Sequence, residues 1–129
     1  MDEKRNRILL MDDSEIFLEI TSTALQQAGY DVVCANDLEQ LAAARKGAPS
    51  DLVLMDVQMR DAFGDDIALT LREAYGIHAP IYLLSSLDEA DLADRVAWAR
   101  IEGFISKQAG LEAIVSRVRT ILPVDGPGS

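Results

Sequence analysis

The chain predicts an α/β sandwich: a doubly wound, five-stranded parallel sheet in the order 2-1-3-4-5, with helices on both faces. The first observation is a set of short apolar runs: Ile8–Met11, Leu52–Met55, Ile81–Leu84 and Phe104–Ser106. Each is short enough to be a strand buried on both faces. The second is that stretches with helical spacing separate them. The third is how the runs end: in Asp12-Asp13, Asp56, Ser85-Ser86 and Lys107. Parallel strands bring their C-terminal ends to one sheet edge, where such folds bind ligands.

The elements follow in order. Arg7 to Met11 reads as the first strand. Asp13 or Ser14 caps a helix from about Glu15 to Ala28, with Phe17, Ile20, Ala24, Leu25 and Ala28 near helical spacing and Gly29 as its stop. Val32 to Ala35 is the second strand. Asn36 followed by Glu39 resembles a capping box opening a helix to about Lys46, which Gly47 and Pro49 end. Leu52 to Met55 is the third strand. A loop rich in Asp and Gly leads to a helix over about Asp65 to Ala74. Pro80 introduces the fourth strand, Ile81 to Leu84, and Asp88 opens a fourth helix to about Arg100. Gly103 to Ser106 and Leu111 to Leu122 make the last strand and helix. Residues 1–122 thus form one domain, and 123–129, rich in Gly and Pro, read as an unstructured tail or the start of a linker.

The 129 residues suffice for one domain, and 49% apolar content for a core. Twelve Lys and Arg against 22 Asp and Glu leave a net charge of −10, which argues against phosphate-backbone binding by this domain. No segment is long and apolar enough to span a membrane, and the charged start does not read as a secretory signal. A cytoplasmic location is expected. The lone Cys34 excludes an internal disulfide and reads as a small buried hydrophobe. His78, the lone histidine, reads as a solvated loop residue.

The order 2-1-3-4-5 sets strands one and three side by side, and with them Asp12, Asp13 and Asp56. Clustered carboxylates repel unless a cation neutralises them. Oxygen-only ligation without His or Cys selects a hard ion, Mg²⁺ or Mn²⁺. A carboxylate beside such an ion can attack phosphorus and form an acyl phosphate. A lysine and a hydroxyl at neighbouring strand ends, Lys107 and Ser85, answer the charge that builds on the phosphoryl oxygens. Taken singly, each residue has a plainer reading: Asp12-Asp13 as helix caps, Asp56 as a turn residue, Ser85 as an N-cap, Lys107 as a surface lysine. The functional reading rests on four strand ends agreeing in register.

In Met11-Asp12-Asp13-Ser14, Leu54-Met55-Asp56-Val57-Gln58-Met59 with Gly64, Leu84-Ser85-Ser86 and Gly103-Phe104-Ile105-Ser106-Lys107, the chain resembles the receiver domain of two-component response regulators, with its flavodoxin-like (β/α)₅ fold. The likeness covers about residues 6 to 122. It implies phosphorylation of Asp56 by a histidine kinase or phosphotransfer protein, without classing the chain as an enzyme. It implies Mg²⁺ held by Asp13, Asp56 and the backbone carbonyl of Gln58, with Asp12 acting through water. Ser85 would swing toward the phosphoryl group, and Phe104 would change rotamer with it. The surface of the fourth helix, fifth strand and fifth helix would then signal to a downstream protein or effector domain, or to a second copy of the chain.

Two positions depart from the family pattern. Arg60 and Gln108 stand where proline is usual, the latter often after a cis bond. A cis bond to a non-proline residue costs about 2.5–4 kcal/mol. The Lys107–Gln108 bond is therefore expected either trans in a shifted loop or cis under strain. Gln58 and Leu87 occupy positions that modulate dephosphorylation, with opposed expected effects. In the fourth helix, Leu92, Val96 and Ala99 read as the sheet-facing stripe. Ala90, Ala93 and Ala97, with Trp98 and Phe104, read as an interface that responds to phosphorylation, against the plainer reading of alanines as helix formers. Two other functions compete: a pseudo-receiver that binds partners without phosphorylation, and a phosphatase of the haloacid dehalogenase type. The latter expects D-x-D after strand one and a cap domain; here the acids are adjacent.

Overall fold

A computed structural model describes residues 6–37, 39, 40, 43, 50–56, 79–85 and 102–123. Five parallel strands form one sheet: β1 (Arg7–Met11), β2 (Asp31–Ala35), β3 (Leu52–Asp56), β4 (Ile81–Ser85) and β5 (Gly103–Ser106). Their order is β2-β1-β3-β4-β5, as the strand pattern predicts. Two described helices pack on one face: α1 (Glu15–Gln27) and α2 (Leu111–Ile121), the latter being the fifth helix of the sequence reading. The expected helices over 65–74 and 88–100 lie outside the described residues.

The three central strands are almost wholly buried because both faces of a parallel sheet are covered. Side chains alternate along each strand, so Ile8, Leu10, Leu52, Leu54, Leu84 and Ile105 meet Leu18 and Leu25 of α1 and Ile114 and Val118 of α2. Leu9, Met11, Val53, Met55, Ile81 and Leu83 alternate to the opposite face and are also buried.

Ser14 caps α1, its hydroxyl accepting from the Phe17 N–H at 3.2 Å. The helix ends in a Schellman motif. Gly29 adopts φ 106°, its N–H donates to Gln26, and the Tyr30 N–H donates to Leu25. The buried line of α1 is Leu18, Thr21 and Leu25, with Phe17, Ala24 and Ala28 half-buried. Ile20, expected on the core stripe, is 50% exposed, and Ile16 is 71% exposed. Two stripes one position apart fit a period of 3.6 equally well. Contact with the sheet selects the one carrying Leu18 and Thr21.

Cys34 is a second correction: it is exposed, not buried. Among the described strands β2 lies at the edge, bonded to β1, and only Ala35 of its five residues is buried. The third correction concerns the next helix start. Asp37, not Asn36, supplies the cap oxygen, accepting from the Gln40 N–H at 2.8 Å, while Gln40 Oε1 accepts from the Asn36 N–H at 2.8 Å. The cap oxygen expected of Asn36 thus comes one residue later, from Asp37, while the returning side chain is that of Gln40 and reaches the Asn36 N–H rather than that of Asp37.

Two buried polar groups on this side lead to stability predictions. The Thr21 hydroxyl is buried and, among the described residues, has no hydrogen-bond partner. Valine has nearly the same shape and no hydroxyl to desolvate. Thr21→Val is expected to raise unfolding free energy by about 1 kcal/mol, the low end of the cost of an unsatisfied buried group. An unchanged or lower urea midpoint would refute this.

The Tyr30 hydroxyl donates to the Leu122 carbonyl at 2.5 Å, tying the end of α2 to the start of β2. Burial raises its pKa above the ordinary value of 10.0, against a smaller lowering by Arg119. Since the folded pKa is the higher one, the stability contribution is full below pH 10 and is lost as pH rises through the folded value. Tyr30→Phe is expected to cost about 1 kcal/mol at neutral pH and to flatten the alkaline limb of a stability–pH curve. The same alkaline slope in both proteins would contradict that assignment.

Candidate functional site

The register of the sheet assembles the site. Met11 pairs with Met55, Asp56 with Leu84, and Ser85 with Ser106. The residues that end or follow β1, β3, β4 and β5 therefore share the C-terminal edge: Asp12 and Asp13, Asp56, Ser85, and Lys107. Asp12 and Ser85 are fully or nearly fully buried, and Asp56 is 6% exposed. Such burial of two acids in a small domain calls for positive charge beside them.

Lys107 supplies part of it. Its Nζ lies 2.6 Å from Asp12 Oδ2 and 3.4 Å from Asp56 Oδ1. The other Asp12 oxygen, Oδ1, accepts from the Ser14 N–H at 2.9 Å, which fixes the carboxylate against the start of α1. Asp12 is held by its backbone as well, its N–H donating to Ala35 at 3.1 Å. One ligand oxygen from each of Asp12, Asp13 and Asp56 lies within 4.8 Å of the others. A single lysine cannot neutralise three carboxylates. Three hard oxygen donors this close suit a divalent cation such as Mg²⁺.

The loop after β5 departs from the usual proline-containing form. Among the described residues no peptide bond is cis, so the Lys107–Gln108 bond takes the trans alternative. Lys107–Ala109 form a 3₁₀ turn closed by the Gly110 N–H on the Lys107 carbonyl at 3.3 Å. The Gln108 N–H donates to Ser106 Oγ at 3.2 Å, a bond that proline could not make. Gly110 then takes φ 94°, which suits glycine, and opens α2. The trans loop still delivers Lys107 to the acids.

The structure thus brings Asp12, Asp13, Asp56 and Lys107 together, with Ser85 at the same edge on β4. Phe104 is half-buried on β5 and paired with Leu83. Gln58, Leu87, Ala90, Ala93, Ala97 and Trp98 lie outside the described residues. One neighbour escaped the sequence reading. The Phe17 ring centroid is 4.3 Å from Lys107 Nζ. Its spacing assigned it to the core of α1. The missed signal is its place in the first helical turn, four residues beyond Asp13.

Comparison with known proteins gives a consistent result. Residues 8–119 match the family model of the response regulator receiver domain. The probable transcriptional regulatory protein TcrX of Mycobacterium tuberculosis is 34% identical over 89% of this chain and 49% of its own length. The phosphate regulon regulator PhoB of Pseudomonas aeruginosa is 28% identical over 94% of this chain and 53% of its own. The chain spans about half the length of these relatives. Among solved structures, the chemotaxis protein CheY4 of Vibrio cholerae superposes with a TM-score of 0.81 at 27% identity, covering 91% of this chain and 98% of that one. TrrA of Thermotoga maritima, solved in complex with Mg²⁺-BeF, gives 0.76 at 26% identity, covering 91% and 99%.

Proposed function

This chain belongs to the response regulator receiver domain family, and we propose that it accepts a phosphoryl group on Asp56 from a histidine kinase or phosphotransfer protein. The family is one of two-component signalling modules rather than of enzymes. The observation that carries the proposal is the shared lysine: Lys107 Nζ reaches Asp12 at 2.6 Å and Asp56 at 3.4 Å, beside a third acid.

An Asp56 carboxylate oxygen attacks phosphorus and the P–N bond of the phosphohistidine breaks. The departing imidazole keeps the electron pair and takes a proton from solvent. Lys107 offers its ammonium to the phosphoryl oxygens, and Ser85, on the neighbouring strand, offers its hydroxyl. Asp12, Asp13, Asp56 and the Gln58 carbonyl would hold Mg²⁺, or Mn²⁺ in its place, which when bound neutralises the acids and the phosphoryl charge. The Mg²⁺-BeF complex of TrrA supports that choice. Phosphorylation then alters the surface of the fourth helix, β5 and α2. Phe104 on β5, with Ala90, Ala93, Ala97 and Trp98 of the fourth helix expected from the sequence, takes part in that change. The signal passes to a downstream protein or effector domain. TcrX and PhoB, each about twice the matched length, are transcriptional regulators and support an output of that kind. Residues 1–122 form the receiver, acting in the cytoplasm.

The test is incubation with acetyl phosphate, with and without Mg²⁺, followed by intact-mass measurement and peptide mapping. A single phosphoryl group on Asp56 that requires Mg²⁺ is expected. No modification would favour a phosphorylation-independent interaction module. Multiple turnover on phosphate esters would favour a phosphatase.

A further inference from the structure

We propose that Phe17 is a positioning residue for Lys107, its ring face holding the ammonium at the acid cluster; this rests on the receiver reading above. Lys107 ends a flexible four-carbon stem, so burying its head in one place costs rotamer freedom. Three groups of the described residues restrain the head: Asp12 at 2.6 Å, Asp56 at 3.4 Å and the Phe17 centroid at 4.3 Å. The last distance lies well inside the limit of about 6 Å for attraction between a cation and a π-face.

The start of α1 organises two of the three restraints. Ser14 caps the helix on the Phe17 N–H, and the Ser14 N–H in turn fixes Asp12 Oδ1. The start of one helix thereby orients a carboxylate and an aromatic ring toward one ammonium, which lies 95 residues beyond Asp12 in sequence. The two partners differ in kind. When a divalent cation draws Asp12, its hold on Lys107 weakens; the ring, which has no lone pair for a metal, is unaffected. The ring also has no net charge, so it attracts the ammonium without repelling an incoming phosphoryl anion. A carboxylate in its place would do both harms. The ring therefore keeps Lys107 beside Asp56 in the metal-loaded state, in a loop where Gln108 replaces the rigid proline.

The test compares Phe17→Leu, which removes the π-face, with Phe17→Tyr, which keeps it. Phe17→Met serves in place of Leu if that protein fails to fold. The first readout is NMR of isotope-labelled lysine, with the Lys107 signal identified by its loss in Lys107→Met. The Lys107 ε-methylene signal should show an upfield ring-current shift in wild type and Phe17→Tyr, and lose it in Phe17→Leu. The second readout is the rate of phosphorylation by acetyl phosphate with Mg²⁺. It should fall about three- to fivefold in Phe17→Leu and stay near wild type in Phe17→Tyr, as expected for a cation–π contact. An unshifted Lys107 signal in wild type, or equal rates in Phe17→Leu and wild type, overturns the proposal. A drop shared equally by Leu and Tyr also overturns it, since that pattern marks packing alone. A wild type that takes up no phosphoryl group sinks the receiver reading instead, and the lysine signal then decides the contact by itself.

Discussion

Asp56→Asn is expected to take up no phosphoryl group from acetyl phosphate and Mg²⁺ under conditions that modify the wild type. The amide oxygen is a poor nucleophile, and its carbonyl cannot form the acyl phosphate. The other two acids are poorly placed to substitute. Asp12 is fully buried, with both oxygens engaged by Ser14 and Lys107. Asp13, just before α1, has an oxygen within 4.8 Å of that of Asp56, but there its proposed part is to hold the metal rather than to meet phosphorus. The loss should not reflect unfolding. Asparagine matches aspartate in shape, and removing one charge relieves repulsion among acids whose ligand oxygens lie within 4.8 Å. Lys107 retains its shorter bond to Asp12. The variant's denaturation midpoint without metal should be no lower than that of wild type. Intact-mass measurement decides the first point: modification at the wild-type level would move the acceptor elsewhere.

Lys107→Met is expected to slow phosphorylation by about 10²–10³-fold, the range for removing one preorganised donor from a developing oxyanion. It should also separate two roles of the lysine. Without metal, the ammonium is the cation nearest Asp12 and Asp56 among the described residues. Its removal leaves a buried carboxylate without its charge partner, costing about 1–3 kcal/mol; partial exposure of Lys107 keeps the figure below that for a fully buried pair. Mg²⁺ and the ammonium compete for the same oxygens, so the variant should bind Mg²⁺ more tightly. Saturating Mg²⁺ should then restore stability but not the phosphorylation rate. Denaturation curves with and without Mg²⁺, beside rate measurements, test each part. A stability loss that Mg²⁺ leaves untouched would show that Lys107 does not answer the acids' charge.

The readings that held rest on local pattern. Four-residue apolar runs identify the central strands because a strand buried on both faces has no polar position to interrupt it. Strand boundaries move by one residue: the central β3 extends to Asp56 and β4 to Ser85, and the edge strand β2 begins at Asp31. The acids themselves continue the ladder. The misreadings arise where local pattern is degenerate. Ile20 and Leu18 both fit an amphipathic α1. Asn36 and Asp37 both fit a helix start, and a cap is decided by backbone geometry rather than residue type.

The sequence by itself determined the five-stranded order and the meeting of Asp12, Asp13, Asp56, Ser85 and Lys107 at one edge. Right-handed crossovers and parallel pairing leave little freedom once the strands are known. Only the tertiary structure decided which side of α1 is buried, that Cys34 sits exposed on an edge strand, and that the Lys107–Gln108 bond is trans. It alone brought the Phe17 ring to the ammonium. These are contacts between segments far apart in the chain, or choices among local conformations of similar energy, and packing resolves them.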